Sequence, residues 1–480
     1  MTRDPALVGL PPSVSAGQAA AQFDQLQKKL VPLWKLIESF NAEEQTIVVV
    51  PSMSVDMTAT GSEAHGYEER FLFLLLLLAQ PRAKMIYVTS QAIHPSVIEY
   101  YLDLLSGVIP SHAMRRLTLL SPYDDSNRPL SLKLLERPLL LERIEAGILN
   151  KDRAHLICYN TTFLERNLAL RLGIPLYGAD PLHLSFGTKT GCRQLFARAG
   201  INHPLGFDDL NSIDDVVSAL VQMHAKRPSI AQAIVKLNEG VSGEGNATVD
   251  LSNLSEPANA TIAERVRGMR FEHGKVNFND YAAKFRARGG VVEERVGVGA
   301  KEVRSPSVQL RITPLGKVEL LSTHDQMLGG PTGQTYLGCI FPADVAYAVA
   351  ITHDAAKVGE LLRDAGVIGR QFLTGGIYDP ESATFIAPNG HKKFLVASDH
   401  LESPKYKGFT PDDLFDVVVR RGLHFGQVRQ TGVVFHMLSG LGSRGRLGLT
   451  AVGNSPEEAQ SIFDEAKRIL DEEARFDQLS

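Results

Sequence analysis

Short apolar runs alternate with helical periodicity over the first third of the chain. Ile47-Val48-Val49-Val50 ends at Pro51-Ser52, and Met85-Ile86-Tyr87-Val88 follows a leucine-rich stretch. Leu117-Thr118-Leu119-Leu120 and His155-Leu156-Ile157-Cys158-Tyr159 complete the series. Apolar runs of this length predict strands, and those without polar alternation predict burial on both faces. The leucine-rich run from Phe71 to Ala79 falls far short of the ~20 apolar residues of a membrane span. Flanked by Tyr67-Glu68-Glu69-Arg70 and Gln80-Pro81, it predicts a fully buried helix. Thr162-Phe163-Leu164-Glu165 is a capping box, and its helix should stop at Gly173 before Ile174-Pro175. Strand and helix in this rhythm predict a mostly parallel sheet, and so a Rossmann-like domain over residues 1–180. No G-x-G-x-x-G turn follows the first strand, which argues against a dinucleotide site.

The pattern changes afterwards. Gly289-Gly290-Val291-Val292-Glu293-Glu294-Arg295-Val296 predicts a buried strand with an acidic end. Strands at 308–312 and 318–322 should flank the turn Thr313-Pro314-Leu315-Gly316-Lys317. The polar triplet His324-Asp325-Gln326 and the glycine-rich 329–333 follow, then a helix over about 342–364. Residues 377–480 predict a small α+β unit. Asn389-Gly390 turns a hairpin with arms at 383–388 and 393–397. Thr410-Pro411-Asp412-Asp413 and Ser455-Pro456-Glu457-Glu458 each start a helix. The last helix presents Ala459, Ile462, Phe463, Ala466, Ile469 and Leu470 on one face.

At 480 residues, the chain fits about three domains of ordinary size. A formal net charge of −4 supplies no basic field for nucleic acid. Cys158, Cys192 and Cys339 have no metal-ligand spacing and no disulfide framework, which suits a reducing compartment. Met1-Thr2-Arg3-Asp4-Pro5 lacks the order of a signal peptide. The expectation is a cytoplasmic protein with no membrane and no nucleic-acid partner.

Two lysines carry the chemistry. Lys189 opens the short helix Lys189-Thr190-Gly191-Cys192-Arg193-Gln194-Leu195-Phe196-Ala197-Arg198, closed at Gly200. Lys236 ends the apolar strand Ala233-Ile234-Val235 and runs into Gly240-Val241-Ser242-Gly243-Glu244-Gly245. Two ammonium groups offset triphosphate charge, and glycines let backbone N–H groups approach phosphates closely. A lysine at the end of an apolar strand is costly to desolvate without an anion beside it. The bland readings are a surface lysine and an ordinary flexible hairpin; the pair, in this order, favours a nucleotide site. Arg311 faces either a phosphate or solvent. His324 and Asp325 either serve a substrate or cap a turn. His436 reads as a core histidine.

This arrangement resembles the ATP-grasp superfamily of carboxylate–amine ligases, and within it the group related to the peptide ligase of pheganomycin biosynthesis. The likeness covers most of the chain. It rests on Leu132-Lys133-Leu134-Leu135-Glu136-Arg137-Pro138, the Lys189 segment, Ser305-Pro306-Ser307-Val308-Gln309, and Ser322-Thr323-His324-Asp325-Gln326. Most specific is the C-terminal series Val396-Ala397-Ser398-Asp399-His400, Gly422-Leu423-His424-Phe425 and Gln430-Thr431-Gly432-Val433-Val434-Phe435-His436. The resemblance implies a Rossmann-like pre-ATP-grasp domain (1–180), an ATP-grasp core (181–376) and a C-terminal α+β domain (377–480). It also implies ATP, Mg²⁺, a small-molecule or peptide carboxylate and an amine, joined through an acylphosphate. Lys189, Lys236, Gly240, Ser242, Gly243 and Gly245 would attend the phosphates, and Glu293 or Glu294 the ribose. Arg311, His324 and Asp325 are the candidate catalytic groups.

The chain departs from that family at its metal site. The expected Glu-x-Asn is missing from the late core; Glu165-Arg166-Asn167 and Glu244-Gly245-Asn246 have the spelling in the wrong elements. Val367-Ile368-Gly369-Arg370-Gln371-Phe372-Leu373-Thr374-Gly375-Gly376 stands where two metal-binding strands belong, and reads as an internal deletion. It is either a real loss or a gap in the assembled coding sequence. Such a loss predicts an open sheet edge, with pairing to another copy as one outcome. It also raises a second function, a non-catalytic nucleotide-binding sensor or scaffold.

Overall fold

The computed structural model describes residues 5–38, 44–54, 62–105, 107–240, 245–254, 259–272, 276–297, 303–330, 333–369, 377–387 and 390–476. Strands β1 (Gln45–Val50), β2 (Ala83–Val88), β3 (Leu117–Leu120) and β4 (Ala154–Cys158) form a parallel sheet in the order β3-β2-β1-β4. Alternate residues feed opposite cores. Val48, Val50, Ile86 and Val88 pack with Phe23, Leu134 and Leu168. Ile47, Val49, Met85 and Tyr87 pack with Leu72, Leu75 and Leu78. Helices cover both faces, which is why these strands lack polar alternation. The Phe163–Leu172 helix has its capping box at Thr162 and a left-handed Gly173, as its sequence predicts.

The leucine run departs from expectation. Phe71–Ala79 is a 3₁₀ helix that buries Leu72, Leu74, Leu75, Leu77 and Leu78 but leaves Leu76 39% exposed. With three residues per turn, Phe73, Leu76 and Ala79 stack on one face.

Strands β5 (Gly206–Leu210), β6 (Gln232–Leu237), β7 (Asn246–Asp250), β8 (Arg270–Phe271) and β9 (Gly290–Glu294) form a second, antiparallel sheet in the order β5-β9-β6-β7-β8. Ala233, Val235, Leu237 and Val292 turn into a core with Leu220, Met223, Tyr281 and Phe285. The period of two therefore sends Ile234, Lys236, Val291 and Glu293 to the other face.

A third sheet joins the middle of the chain to its end. Its strands are β10 (Pro306–Ile312), β11 (Val318–Gly329), β12 (Thr335–Phe341), β15 (Phe394–Glu402), β16 (Gly432–His436) and β17 (Arg446–Gly453), in the order β10-β11-β12-β15-β17-β16. Between them, β13 (Ile377–Asp379) and β14 (Thr384–Ile386) pair as a separate two-stranded unit. The polar triplet lies inside β11, a longer strand than the sequence predicts. The expected open edge is absent from β12. Cys339, Ile340 and Phe341 pair with Ala397, Val396 and Leu395 of β15, so strands from the C-terminal unit continue the sheet. The hairpin expected over 383–397 is correspondingly short: Ile386 bridges Lys392, while β15 belongs to the large sheet. Residues 388 and 389 of its turn lie outside the described residues. Helices Val345–Asp364 and Pro456–Phe476 pack against this sheet, the second burying Ala459, Phe463, Ala466, Ile469 and Leu470.

The first and last parts of the chain share one core, in which Leu72 and Tyr101 cluster with Val433, Phe435 and Leu449. A buried carboxylate locks this contact. Glu69 accepts hydrogen bonds from the backbone N–H groups of Leu438 (2.6 Å) and Ser439 (2.8 Å). Removing it leaves both donors without their acceptor, so Glu69→Ala should lower stability by ~1–3 kcal/mol. A urea melt with an unchanged midpoint would contradict this role.

Candidate functional site

Asn238, just beyond β6, brings the two lysines together. Its carbonyl accepts from Lys189 N–H (3.1 Å) and its side-chain Oδ1 from Thr190 N–H (3.0 Å). Its own amide groups donate to the Gly289 carbonyl (3.1 Å) and the Arg288 carbonyl (3.0 Å). The start of the Lys189–Arg198 helix is thus pinned to the end of the strand carrying Lys236. Thr188 caps this helix, and Gly191 sits so close to the Ser185 carbonyl that a Cβ would come within 1.9 Å of it. Any side chain there would push the helix start away.

Charge at this junction is unbalanced. Glu293 accepts from Lys236 Nζ (2.5 Å) and Arg193 Nη1 (2.8 Å). Burial would raise the Glu293 carboxyl, but these two cations outweigh it and hold it below the usual range. Arg193 also donates to the Pro204 carbonyl (3.1 Å), and Asp208 stands 3.6 Å from its Nε. Among the described residues, no carboxylate lies within ion-pair distance of Lys189 Nζ. Burial, and then the positive charge of Lys236, push its pKa down.

The other expected residues separate. Glu294 accepts from Leu205 N–H (2.9 Å) and pairs with Arg227, within the second sheet's own lobe. Both glutamates proposed for a ribose are therefore engaged by cations of the protein. Gly240 ends the described part of its loop, and Gly245, at φ +83°, resumes it. Tyr281 Oη fixes that return by donating to the Gly245 carbonyl (2.8 Å). Ser242 and Gly243 lie outside the described residues. Arg311 pairs with Glu319 (2.5 Å) and stands 5.5 Å from the centre of the Trp34 ring, on a different part of the fold from the lysines.

His324 and Asp325, neighbours on a strand, point to opposite faces. Asp325 turns to the Val345–Asp364 helix, accepting from Asp344 N–H (2.9 Å) and from the Tyr347 hydroxyl. His324 shares the opposite face with Ser322 and Gln326, and its buried Nδ1 has no hydrogen-bond partner. A polar cavity of about 430 Å³, lined by Gln232, Arg295, Ser305, Gln326 and Gln334, lies where β9 hands over to the third sheet. Among the described residues, no group of three His, Cys, Asp or Glu could hold a metal ion, and residues 370–376 of the join lie outside them.

Arg193 and Asn238 escaped the sequence reading. Arg193 lies one helical turn beyond Lys189, a spacing that places both on one face and could have flagged it. Asn238 carries no such signal, since its role is to join two elements distant in sequence.

Comparison with known proteins adds likenesses at the level of domains. Residues 181–273 match the family described as IQCH-like, ATP-grasp, and so include Lys189, Lys236 and the glycine loop between β6 and β7. The chain carries an ATP-grasp domain. Residues 413–464 match the PGM1 C-terminal domain. The L-propargylglycine–L-glutamate ligase of Streptantibioticus cattleyicolor is 26% identical over 474 residues, covering 91% of this chain and 93% of that protein. The IQ motif-containing protein H of Danio rerio is 26% identical over 426 residues, covering 78% of this chain and 39% of its own length. Among solved structures, the L-amino acid ligase from Bacillus licheniformis is 11% identical with a TM-score of 0.44, over 88% of this chain and 96% of that one. No described helix is long and apolar enough to cross a membrane.

Burial pushes the His324 pKa down to about 4 from 6.5. A histidine whose folded value lies below its unfolded one contributes stability above about pH 6.5 and loses it as pH falls toward 4. His324→Gln should therefore lose less thermal stability than the parent between pH 6.5 and 4. Parallel melting curves over that window would rule out a buried, neutral His324.

Proposed function

We propose that this chain binds ATP with Lys189 and Lys236 on its phosphates and acts as an ATP-dependent carboxylate–amine ligase. The observation that carries this reading is the excess of cation over carboxylate at the junction of the Lys189 helix and β6. Glu293 satisfies Lys236 and Arg193, while among the described residues Lys189 has no acid of its own and stays desolvated. A polyphosphate supplies the missing negative charge. Gly240, Ser242, Gly243 and Gly245 would cover it with backbone N–H groups. The polar cavity beyond Glu294 offers donors and acceptors of a kind that suits a base and ribose.

In the acylphosphate route, a substrate carboxylate oxygen attacks the terminal phosphorus and the bond to the departing ADP breaks. The amine then attacks the acyl carbon, phosphate leaves, and the amine proton goes to a base or solvent. The lysines serve this route by holding charge that spreads over the phosphoryl oxygens. The ligase relative, aligned over most of both chains, supports the same reaction class. Mg²⁺ fits less well, because no acidic cluster among the described residues would hold it; nothing in this route is assigned to it. The same observation favours a second reading, in which the chain holds nucleotide without transferring phosphate.

Calorimetric titration with ATP, with and without Mg²⁺, tests the site. Lys236→Ala and Lys189→Ala should each weaken ATP binding at least ~10-fold, about 1.4 kcal/mol. Wild-type affinity in both variants would refute the assignment. ADP release that depends on an added acid and amine would establish the ligase; ATP binding without it would leave the nucleotide-holding reading.

A further inference from the structure

A second cavity, of about 640 Å³, lies between the Phe71–Ala79 3₁₀ helix and the third sheet. Its size is within the usual range for small-molecule sites. The stacked Phe73, Leu76 and Ala79 line one side, which accounts for the exposure of Leu76 in an otherwise buried run. Opposite them are residues that strand register places on one sheet face: His324, Phe341, Leu395 and Ala397. The walls are mainly apolar, but their polar groups are unusual.

Lys393 lines this cavity and is only 2% exposed. Its ammonium donates to the Arg429 carbonyl (2.7 Å) and to Asn454 Oδ1 (2.7 Å), both neutral acceptors. An ammonium has three protons, so these partners leave one donor in hand, and among the described residues no carboxylate lies within ion-pair distance. Next to Arg429, Gln430 also lines the cavity, at φ +52°, with its buried Oε1 lacking any donor. His324 Nδ1, on another wall, is likewise without a partner. Buried polar atoms are seldom left unpaired. Here a buried ammonium with no described carboxylate within ion-pair distance, on which Glu458 acts only from farther off, and a carbonyl oxygen without a donor stand beside an apolar chamber.

We propose that this cavity binds a hydrophobic amino acid, with its carboxylate at Lys393, its amino group at Gln430 Oε1 and its side chain against Leu76 and Phe341. Lys393 and Gln430 Oε1 then each gain a partner. The inference deepens the ligase reading by naming one substrate class, and rests on that reading only for the amino acid's later fate. Binding itself does not depend on it. The cavity and the polar pocket share one face of β11, with His324 at one and Gln326 at the other, so a bound amino acid would lie on the face that the nucleotide also meets.

Calorimetry on the full chain with L-leucine, L-phenylalanine, glycine, L-glutamate and leucinamide provides the test. Leucine or phenylalanine should bind at least ~10-fold more tightly than glycine, glutamate or leucinamide, which lack the apolar group or the carboxylate. Ala397→Phe, which fills the chamber from the sheet, and Leu76→Trp, which fills it from the 3₁₀ helix, should each abolish that binding. A melting curve accompanies each variant, so a folding defect in one leaves the other to decide. Equal binding across the panel, no binding at all, or leucine affinity unchanged in a folded filled variant would overturn the proposal. ATP titrated separately into the wild-type protein tells the two readings apart: heat from ATP without heat from leucine refutes only the amino-acid pocket, and the converse refutes only the nucleotide site.

Discussion

The pairing of β12 with β15 is the constraint on which the rest of the molecule depends. A strand edge presents unpaired N–H and C=O groups that must be met by water, another chain or another strand. Here Cys339, Ile340 and Phe341 find theirs in Leu395, Val396 and Ala397. The short route from the Val345–Asp364 helix into the C-terminal unit is therefore compatible with a continuous sheet. The same pairing sets the register of Phe341, Leu395 and Ala397 on the face opposite the leucine-rich 3₁₀ helix, and so creates the apolar chamber.

Electrostatics at the lysine junction follows a different logic. Taking several cations partly out of water is tolerable because Glu293 touches two of them and is held ionised by them. Lys189 remains under the repulsion of Lys236. Removing Glu293 would add to that repulsion; adding a polyanion would relieve it. In the reading proposed above, nucleotide affinity draws on this imbalance and should weaken as salt screens the charges.

Contact between the beginning and end of the chain is equally specific. The Glu69 carboxylate accepts the two N–H groups that follow left-handed Met437, while Tyr100 stacks on Phe415 and accepts from Phe435 N–H. These bonds orient the Phe71–Ala79 helix, which begins two residues after Glu69, against the third sheet. A loss of this lock should therefore be felt in the cavity as well as in stability.

Local chemistry determined much of this in advance. Periodicity marked the strands of the parallel sheet, because both faces are buried. Caps at Thr162, Thr410 and Ser455 marked helix starts, because an orphan N–H finds its nearest acceptor within a few residues. Lys189, Lys236 and the glycines between β6 and β7 pointed to the proposed phosphate site, because their types and order are local. Tertiary structure alone decided the partners. It committed Glu293 and Glu294 to cations, turned Asp325 away from His324, carried Arg311 to Trp34, and closed β12 with a strand from the C-terminal unit. Each of these depends on which distant segment lies across from a residue, and no local pattern encodes that distance.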